Sequence, residues 1–254
     1  MIDLHSHILP ELDDGAATLD DALAIAEAAV ADGIRTIAAT PHVRADDYPT
    51  TPEQMERQLD SVREALRDAA VPLELLPGGE IALDMLPQLG DDDLRRFGLA
   101  GNPKYLLLEA PYFGWPLGIE DALFQLSLRG FTTVLAHPER NGDVQSSPEC
   151  LIPLVERGTL VQLTAASLDG RLGAGPQKTG LRLLELGLAH LLASDAHAPT
   201  LRQIGMTAAA HALGNDELGR WLTEDVPAAI AEGGHLPPRP TRSPRRFRRP
   251  SFLR

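Results

Sequence analysis

The chain has 254 residues, 43% of them hydrophobic and 23% charged, the balance of a packed protein rather than a disordered or collagen-like one. Its single cysteine, Cys150, excludes a disulfide framework and every multi-cysteine zinc motif, so a bound metal must use His, Asp and Glu. The net charge of −13 is uneven: residues 236–254 hold seven Arg, five Pro and no acid, which leaves 16 basic and 36 acidic residues, net −20, in residues 1–235.

So acidic a body forfeits the counterion release that dominates nucleic-acid affinity, and no nucleic-acid partner is expected. The Pro/Arg segment 236–254 reads as a flexible arm, a candidate peripheral contact for acidic lipid or protein, following a single domain over 1–235. No apolar run approaches the ~20 residues of a membrane span, and Met1-Ile2-Asp3-Leu4-His5 lacks the basic and apolar regions of a signal peptide. A cytoplasmic, non-transmembrane protein is the expectation.

Periodicity predicts a strand over 2–7, then a helix over 18–32 with Leu19, Leu23, Ala26 and Val30 at helical spacing before Gly33. A strand over 34–40 precedes a helix over 51–70, opened by a Thr51/Gln54 capping box with Pro52 in its first turn. A strand over 73–80 and a short helix over 91–97 come next. Then follow strand 105–109, helix 119–129, strand 132–137, helix 147–158, strand 160–164, helix 177–186 and strand 188–195. Seven strands thus alternate with helices. Continuous apolar strands such as Leu106-Leu107-Leu108, each followed by a crossover helix, imply a parallel sheet covered on both faces. The fold class is α/β, and seven units suggest a barrel over an open doubly wound sheet, for which no glycine-rich nucleotide loop is present.

Five of the eight histidines lie at or just beyond a predicted strand end: His5, His7, His42, His137 and His197. Glu80, Glu109 and Asp195 occupy equivalent places. The C-terminal strand ends of a β/α barrel form one rim, so residues scattered from position 5 to 197 would converge there. His5 and His7, two apart on a strand, project from one face and can share an ion. Asp195-Ala196-His197 repeats that spacing. Carboxylates at Glu80 and Glu109, after apolar strands, would be costly without a cation nearby. His190, His211 and His235 have no such setting and read as surface or packing residues.

These strings, Ile2-Asp3-Leu4-His5-Ser6-His7 with Asp13-Asp14-Gly15, Thr40-Pro41-His42, Gly79-Glu80-Ile81, Leu108-Glu109, Ala136-His137-Pro138-Glu139-Arg140 and Ala193-Ser194-Asp195-Ala196-His197, resemble the PHP (polymerase and histidinol phosphatase) family. The nearest branch is the manganese-dependent bacterial protein-tyrosine phosphatases of capsule and exopolysaccharide operons, similar over roughly residues 1–230. The resemblance implies a distorted seven-stranded (β/α)7 TIM-like barrel with three divalent ions. His5, His7, Glu80 and Asp195 would surround one; Glu80 would bridge to a second held by Glu109 and His137; Asp14, His42 and His197 would hold the third. Manganese is the implied metal, although N and O ligands also suit Fe, Zn or Co. Three such ions against four carboxylates leave a charge of about +2 for a phosphate dianion.

The implied activity is hydrolysis of phosphotyrosine by a metal-activated hydroxide, on the tyrosine-rich tail of a membrane-associated bacterial kinase. Arg140 and Arg202 are the candidate phosphate contacts. A cysteine phosphatase is excluded, because the residue six after Cys150 is Glu156 where C-x5-R needs arginine. An amidohydrolase with a carboxylated lysine is disfavoured, since the two lysines, Lys104 and Lys178, lie at no predicted strand end. The alternatives are a small-molecule phosphomonoesterase acting on histidinol phosphate or a nucleotide, and a non-catalytic, metal-bound regulatory scaffold.

Overall fold

The computed structural model describes residues 1–197 and 204–240. Arg202 and residues 241–254 lie outside the described residues. Nine strand segments run in the order β1 (Ile2–Ser6), β2 (Thr36–Ala39), β3 (His42–Val43), β4 (Glu74–Leu76), β5 (Glu80–Ala82), β6 (Tyr105–Glu109), β7 (Thr132–Ala136), β8 (Leu160–Thr164) and β9 (Leu191–Ala193). All ladders between them are parallel, in the orders β1-β2-β4 and β3-β5-β6-β7-β8-β9.

Two pairs of these segments are single strand positions broken in the middle. β2 pairs with β4 (Thr36 opposite Glu74) while their continuations β3 and β5 pair with each other (His42 opposite Glu80). The breaks fall at Thr40-Pro41 and Pro77-Gly78-Gly79, where proline removes a ladder donor. Counted this way, seven strand positions follow one another. The last returns to the first through a parallel bridge between Ser6 and Ala196, flanked by His5 C=O accepting from Asp195 N–H (2.9 Å) and Ala196 C=O accepting from His7 N–H (2.8 Å).

The strand expected over 73–80 is therefore split, and Glu80 opens β5 instead of closing a strand. The break depends on Gly79: a Cβ there would lie 2.6 Å from a ring carbon of the fully buried Phe97. The first helix spans Leu19–Ala31 with the Thr18 capping box in place. Its buried face is Ala22, Ile25, Ala26 and Ala29; Leu19, expected at the core, is exposed. The second helix, Pro52–Asp68, has the expected Thr51/Gln54 box and buries Met55, Leu59, Val62 and Leu66. Periodicity missed the helices Met206–Ala212, Asp216–Arg220 and Val226–Glu232 and the π-helical turn Trp221–Asp225 joining the last two.

Residues 236–240, assigned by composition to a flexible arm, are instead seated on the barrel. Trp221 Nε1 donates to Pro237 C=O (3.1 Å), and the Arg239 guanidinium lies over the Trp221 ring and donates to the carbonyls of Ala189 and Leu184. These carbonyls precede β9, at the barrel end opposite the strand C-termini.

Gly79→Ala should cost about 1–3 kcal/mol by forcing Phe97 out of place. Urea unfolding midpoints read this directly, and an unchanged midpoint would show that the break tolerates a side chain.

Candidate metal centre

All nine histidine and carboxylate positions marked out by the sequence gather at the C-terminal rim. Four overlapping groups, His7/Asp14/His42/His197, His5/His7/Glu80, His5/His137/Asp195 and His42/Glu80/Glu109, each place their ligand-type atoms within 4.8 Å of one another. All nine side chains are buried except Asp14, which is 44% exposed.

Hydrogen bonds fix which imidazole nitrogens face inward. His5 Nδ1 lies 3.0 Å from Gln162 Oε1, which also accepts from His137 N–H (3.3 Å). A backbone donor can point only at an acceptor, so this atom is oxygen and His5 Nδ1 carries the proton. His7 Nδ1 likewise donates to Asp13 Oδ2 (2.7 Å), which also accepts from His42 N–H (2.9 Å). The turn holding Asp13 is close-packed on His7: a Cβ on Gly15 would fall 2.1 Å from His7 C=O. Both Nε2 atoms are thereby aimed inward, 3.2 Å apart. Two imidazole lone pairs at that distance repel unless a proton or a metal ion lies between them.

Carboxylates complete that space. His5 Nε2 is 3.4 Å from Glu80 Oε2 and 3.4 Å from Asp195 Oδ1; His7 Nε2 is 3.4 and 3.3 Å from the same atoms. Two imidazole nitrogens and two carboxylate oxygens thus border one space, and N and O donors of this kind are the ligands a divalent transition metal takes. The donor set fits a metal ion.

Glu80 is the hub. Its Oε1 accepts from His137 Nε2 (2.8 Å), and its Oε2, 2.8 Å from His42 Nδ1, meets three imidazoles without a well-aligned hydrogen bond from any. The His42 ring lies between two groups: Nδ1 faces Glu80 and Glu109 (3.8 Å), while Nε2 faces Asp14 Oδ1 (3.5 Å), which is also 3.3 Å from His197 Nε2.

Electrostatics match. Burial pulls the His5 and His7 pKa values down, but the carboxylates around them outweigh it: Glu80 and Asp195 raise His5, and Asp13 foremost raises His7 well above the imidazole range. Burial works against ionisation of Glu80 and Asp195 too, yet adjacent imidazoles hold both well below the carboxylate range. Burial and the Glu80 charge push Glu109 up despite its ion pair with Arg44. Burial and Arg140 hold His137 down. Protons thus stand in for cations, and the site attracts positive charge from either source.

Two ligand-type residues are held in left-handed backbone conformations, His137 at φ 30° and Asp195 at φ 53°. Such non-glycine geometry costs on the order of 1–3 kcal/mol each and collects at functional sites.

Arg140 donates to Asp195 Oδ2 (2.5 Å) and lies over the Tyr112 ring, 4.9 Å from its centroid. It is part of the rim rather than a surface ion-pair residue. Reasoning from sequence missed Asp13, Gln162, Arg44 and Tyr112. Gln162 did leave a signal, a polar residue inside the apolar strand Leu160–Thr164. Asp3 left another, in phase with His5 and His7; its Oδ1 accepts from His5 and Ser194 N–H across the β1/β9 seam, and burial raises its pKa to about 6. Cys150 lies in none of these groups, and burial pushes its thiol up, away from a nucleophilic thiolate.

The family model for capsular polysaccharide synthesis, CpsB/CapC, matches residues 1–226. The chain belongs to the CpsB/CapC family. The tyrosine-protein phosphatase YwqE of Bacillus subtilis is 39% identical over 230 residues, 89% of this chain and 90% of YwqE. The tyrosine-protein phosphatase CpsB of Streptococcus agalactiae serotype III is 30% identical, covering 78% of this chain and 83% of its own length. A crystal structure from work on B. subtilis YwqE and Streptococcus pneumoniae CpsB, described as metal-dependent tyrosine phosphatases, superposes with TM-score 0.85 at 36% identity, covering 96% of this chain and all of the other. A phosphotriesterase-like lactonase of Deinococcus radiodurans, TM-score 0.52 at 15% identity, shares the fold alone.

Asp13→Asn and Gln162→Leu each remove a partner that orients an imidazole and should weaken metal binding about 10- to 100-fold. Titration of the metal-free protein with Mn²⁺ followed by calorimetry checks this; wild-type affinity in both variants would show that the imidazoles need no such support.

Proposed function

We propose that this chain is a metal-dependent protein-tyrosine phosphatase whose nine rim residues hold up to three divalent ions, manganese foremost. The observation carrying the reading is that His5 Nε2 and His7 Nε2, 3.2 Å apart, each lie 3.3–3.4 Å from both a Glu80 and an Asp195 oxygen, with an arginine at the edge. His5, His7, Glu80 and Asp195 would hold one ion; Glu80, Glu109 and His137 a second; Asp14, His42 and His197 a third. His42, which faces both Glu80 and Asp14, would join the last two. Divalent ions in such a site supply Lewis acidity, making water nucleophilic near neutral pH and offsetting charge on phosphoryl oxygens.

The chain's own residues do the rest. Asp13 and Gln162 keep Nδ1 of His7 and His5 protonated, so that Nε2 of each stays a donor to the ion. Arg140, braced by Asp195 and the Tyr112 face, keeps further N–H donors for a substrate phosphate. Burial of the rim side chains excludes bulk water and strengthens those contacts. Competent residues at all nine positions favour an enzyme over a regulatory scaffold.

The proposed substrate is the phosphorylated tyrosine-rich tail of a bacterial kinase controlling polysaccharide export, met in the cytoplasm. Among the described residues no helix is long and apolar enough to cross a membrane. The Arg/Pro-rich segment 236–254 is the proposed peripheral contact for acidic lipid or protein.

Chelation should abolish hydrolysis of a phosphotyrosine peptide and Mn²⁺ should restore it. Cys150→Ser should stay within a few-fold of wild type, and Glu80→Ala, which removes the shared carboxylate, should lose at least ~10³ in kcat. A panel of phosphotyrosine peptide, phosphoserine peptide, histidinol phosphate and nucleoside monophosphates, run on protein of measured metal content, separates the family's activities. Full activity with no bound metal would overturn the reading.

At saturating Mn²⁺, which offsets the loss of the Asp195 partner, Arg140→Ala should lower kcat/KM about 10- to 150-fold, the effect of roughly 1.5–3 kcal/mol from one charge-assisted contact. Wild-type kinetics would leave Arg140 as a partner of Asp195 only.

A further inference from the structure

Beside the metal-ligand cluster lies a cavity of about 630 Å³ built by the segments that follow β3, β5 and β6, three neighbours in the sheet order. Its inner end is polar, where the Arg44 guanidinium meets Glu109, itself one of the nine rim residues. Toward solvent one wall is apolar, formed by Pro111, Phe113, Pro116 and Leu117, and faces a lining that includes the exposed Asp46, Asp47 and Asp84. Phe113 is 89% exposed and Leu117 fully so, more than any other large apolar side chain among the described residues. The base of their loop is nevertheless tied down: Asn141 Nδ2 donates to Pro111 C=O (2.6 Å), and Gly142 N–H donates to Tyr112 C=O (3.0 Å). Two large apolar side chains left in water on an anchored loop, beside a cavity that runs to the reaction centre, mark a binding wall lacking its ligand.

We propose that this cavity takes the aromatic ring of a phosphotyrosyl residue, with Phe113 and Leu117 packing on the ring and the loop 111–117 setting the preference for aryl over alkyl phosphate esters. The inference rests on the phosphatase reading and adds to it the residues that select the substrate. The polarity gradient matches a phosphoaryl group, with anionic phosphate toward the cationic, metal-holding end and the hydrocarbon ring toward the apolar one. Depth matches as well. The rim side chains are buried, and a phenol ring carries its phosphate farther from the peptide backbone than a serine side chain does. Asp46, Asp47 and Asp84 also line the cavity and repel a free anion, so it is not a second phosphate site. Aromatic and aliphatic walls reward a flat apolar ring through area burial and offset stacking.

The test uses the Mn²⁺-loaded full chain and its Phe113→Ala, Leu117→Ala and double variants, with thermal melts to verify folding. Phenylphosphonate and methylphosphonate share one headgroup and differ in the ring. The double variant should bind phenylphosphonate at least about tenfold more weakly by calorimetry, with methylphosphonate affinity within twofold. Its kcat/KM for a phosphotyrosine peptide should fall by a similar factor relative to a phosphoserine peptide. Equal loss for both ligands, or no loss for either, would overturn the proposal. So would a double variant that keeps phenylphosphonate affinity but loses the wild type's attachment to phosphatidylglycerol vesicles, which would make the loop a membrane contact. Calorimetry needs no turnover. A wild type that binds phenylphosphonate through Phe113 and Leu117 but hydrolyses no ester defeats the phosphatase reading alone; a wild type that turns over while its ring affinity ignores the loop defeats this proposal alone.

Discussion

Closure of the strand ring between β1 and β9 is the constraint on which the site depends. His5 and His7 are about 190 positions from Asp195 in the chain, yet the Ser6–Ala196 bridge sets them 3.3–3.4 Å from its carboxylate. The same seam is tied by buried Asp3, whose Oδ1 accepts from backbone donors on both sides of it. Closing the ring therefore forces imidazoles and carboxylates into a dry space where unlike charges attract but every oxygen still needs a partner. A buried carboxylate left unpaired is expensive, and one set among proton-bearing imidazoles is only partly compensated. A cation held there would relieve these carboxylates, so metal binding at such a site would be coupled to folding.

The strained residues fit that account. His137 directly after β7, and Asp195, separated from β9 by one residue, occupy the left-handed region, which non-glycine residues populate sparsely although Asp and His enter it more readily than most. A turn relaxed into the right-handed region would swing the imidazole or the carboxylate away from Glu80 and His5. Ligand geometry at these strand ends outweighs local backbone preference. This is the reverse of the helix caps at Thr18 and Thr51, where the local signals and the final structure agree.

That contrast explains what could be read from the sequence. The caps, the apolar strands β6, β7 and β8 and the parallel α/β alternation were legible because local propensity and burial point the same way there. The convergence of the nine rim residues was legible because strand ends of a β/α barrel share a face. The breaks within two strand positions were not: Leu73-Glu74-Leu75-Leu76 and Glu80-Ile81 read as one apolar run, and only the packing of Phe97 against Gly79 shows why the chain must kink. In the first helix Ala26 is buried and Leu23 and Val30 pack at the edge of the core, but Leu19 is exposed, because the fully buried stripe is mostly alanine, whose small side chain allows close approach and gives little periodic signal. Asp13 and Gln162 escaped for a further reason. Their importance lies in which imidazole nitrogen they protonate, a property of hydrogen-bond geometry that spacing does not encode. The docked segment 236–240 escaped because its composition is that of an arm, and the carbonyls that Arg239 caps are visible only once β9 and the preceding helix are in place.

Arg140 joins the two halves of the rim. One edge of its guanidinium holds the Asp195 oxygen turned away from His5 and His7, and its face covers Tyr112, at the root of the exposed aromatic loop. The Arg140 carbonyl and its neighbour Glu139 C=O accept from Gln145 Nε2, on the short helix whose N-cap, Asn141, also fastens Pro111. A displacement of this arginine toward a bound phosphate would thus be felt both at the carboxylate facing the first metal position and at the wall facing the substrate ring. Because the guanidinium is planar and permanently charged, it can exchange part of its contact with Asp195 for phosphate oxygens without changing its protonation. By its place in the fold, Arg140 would link an anion bound at the rim both to the Asp195 carboxylate and to the base of the loop 111–117.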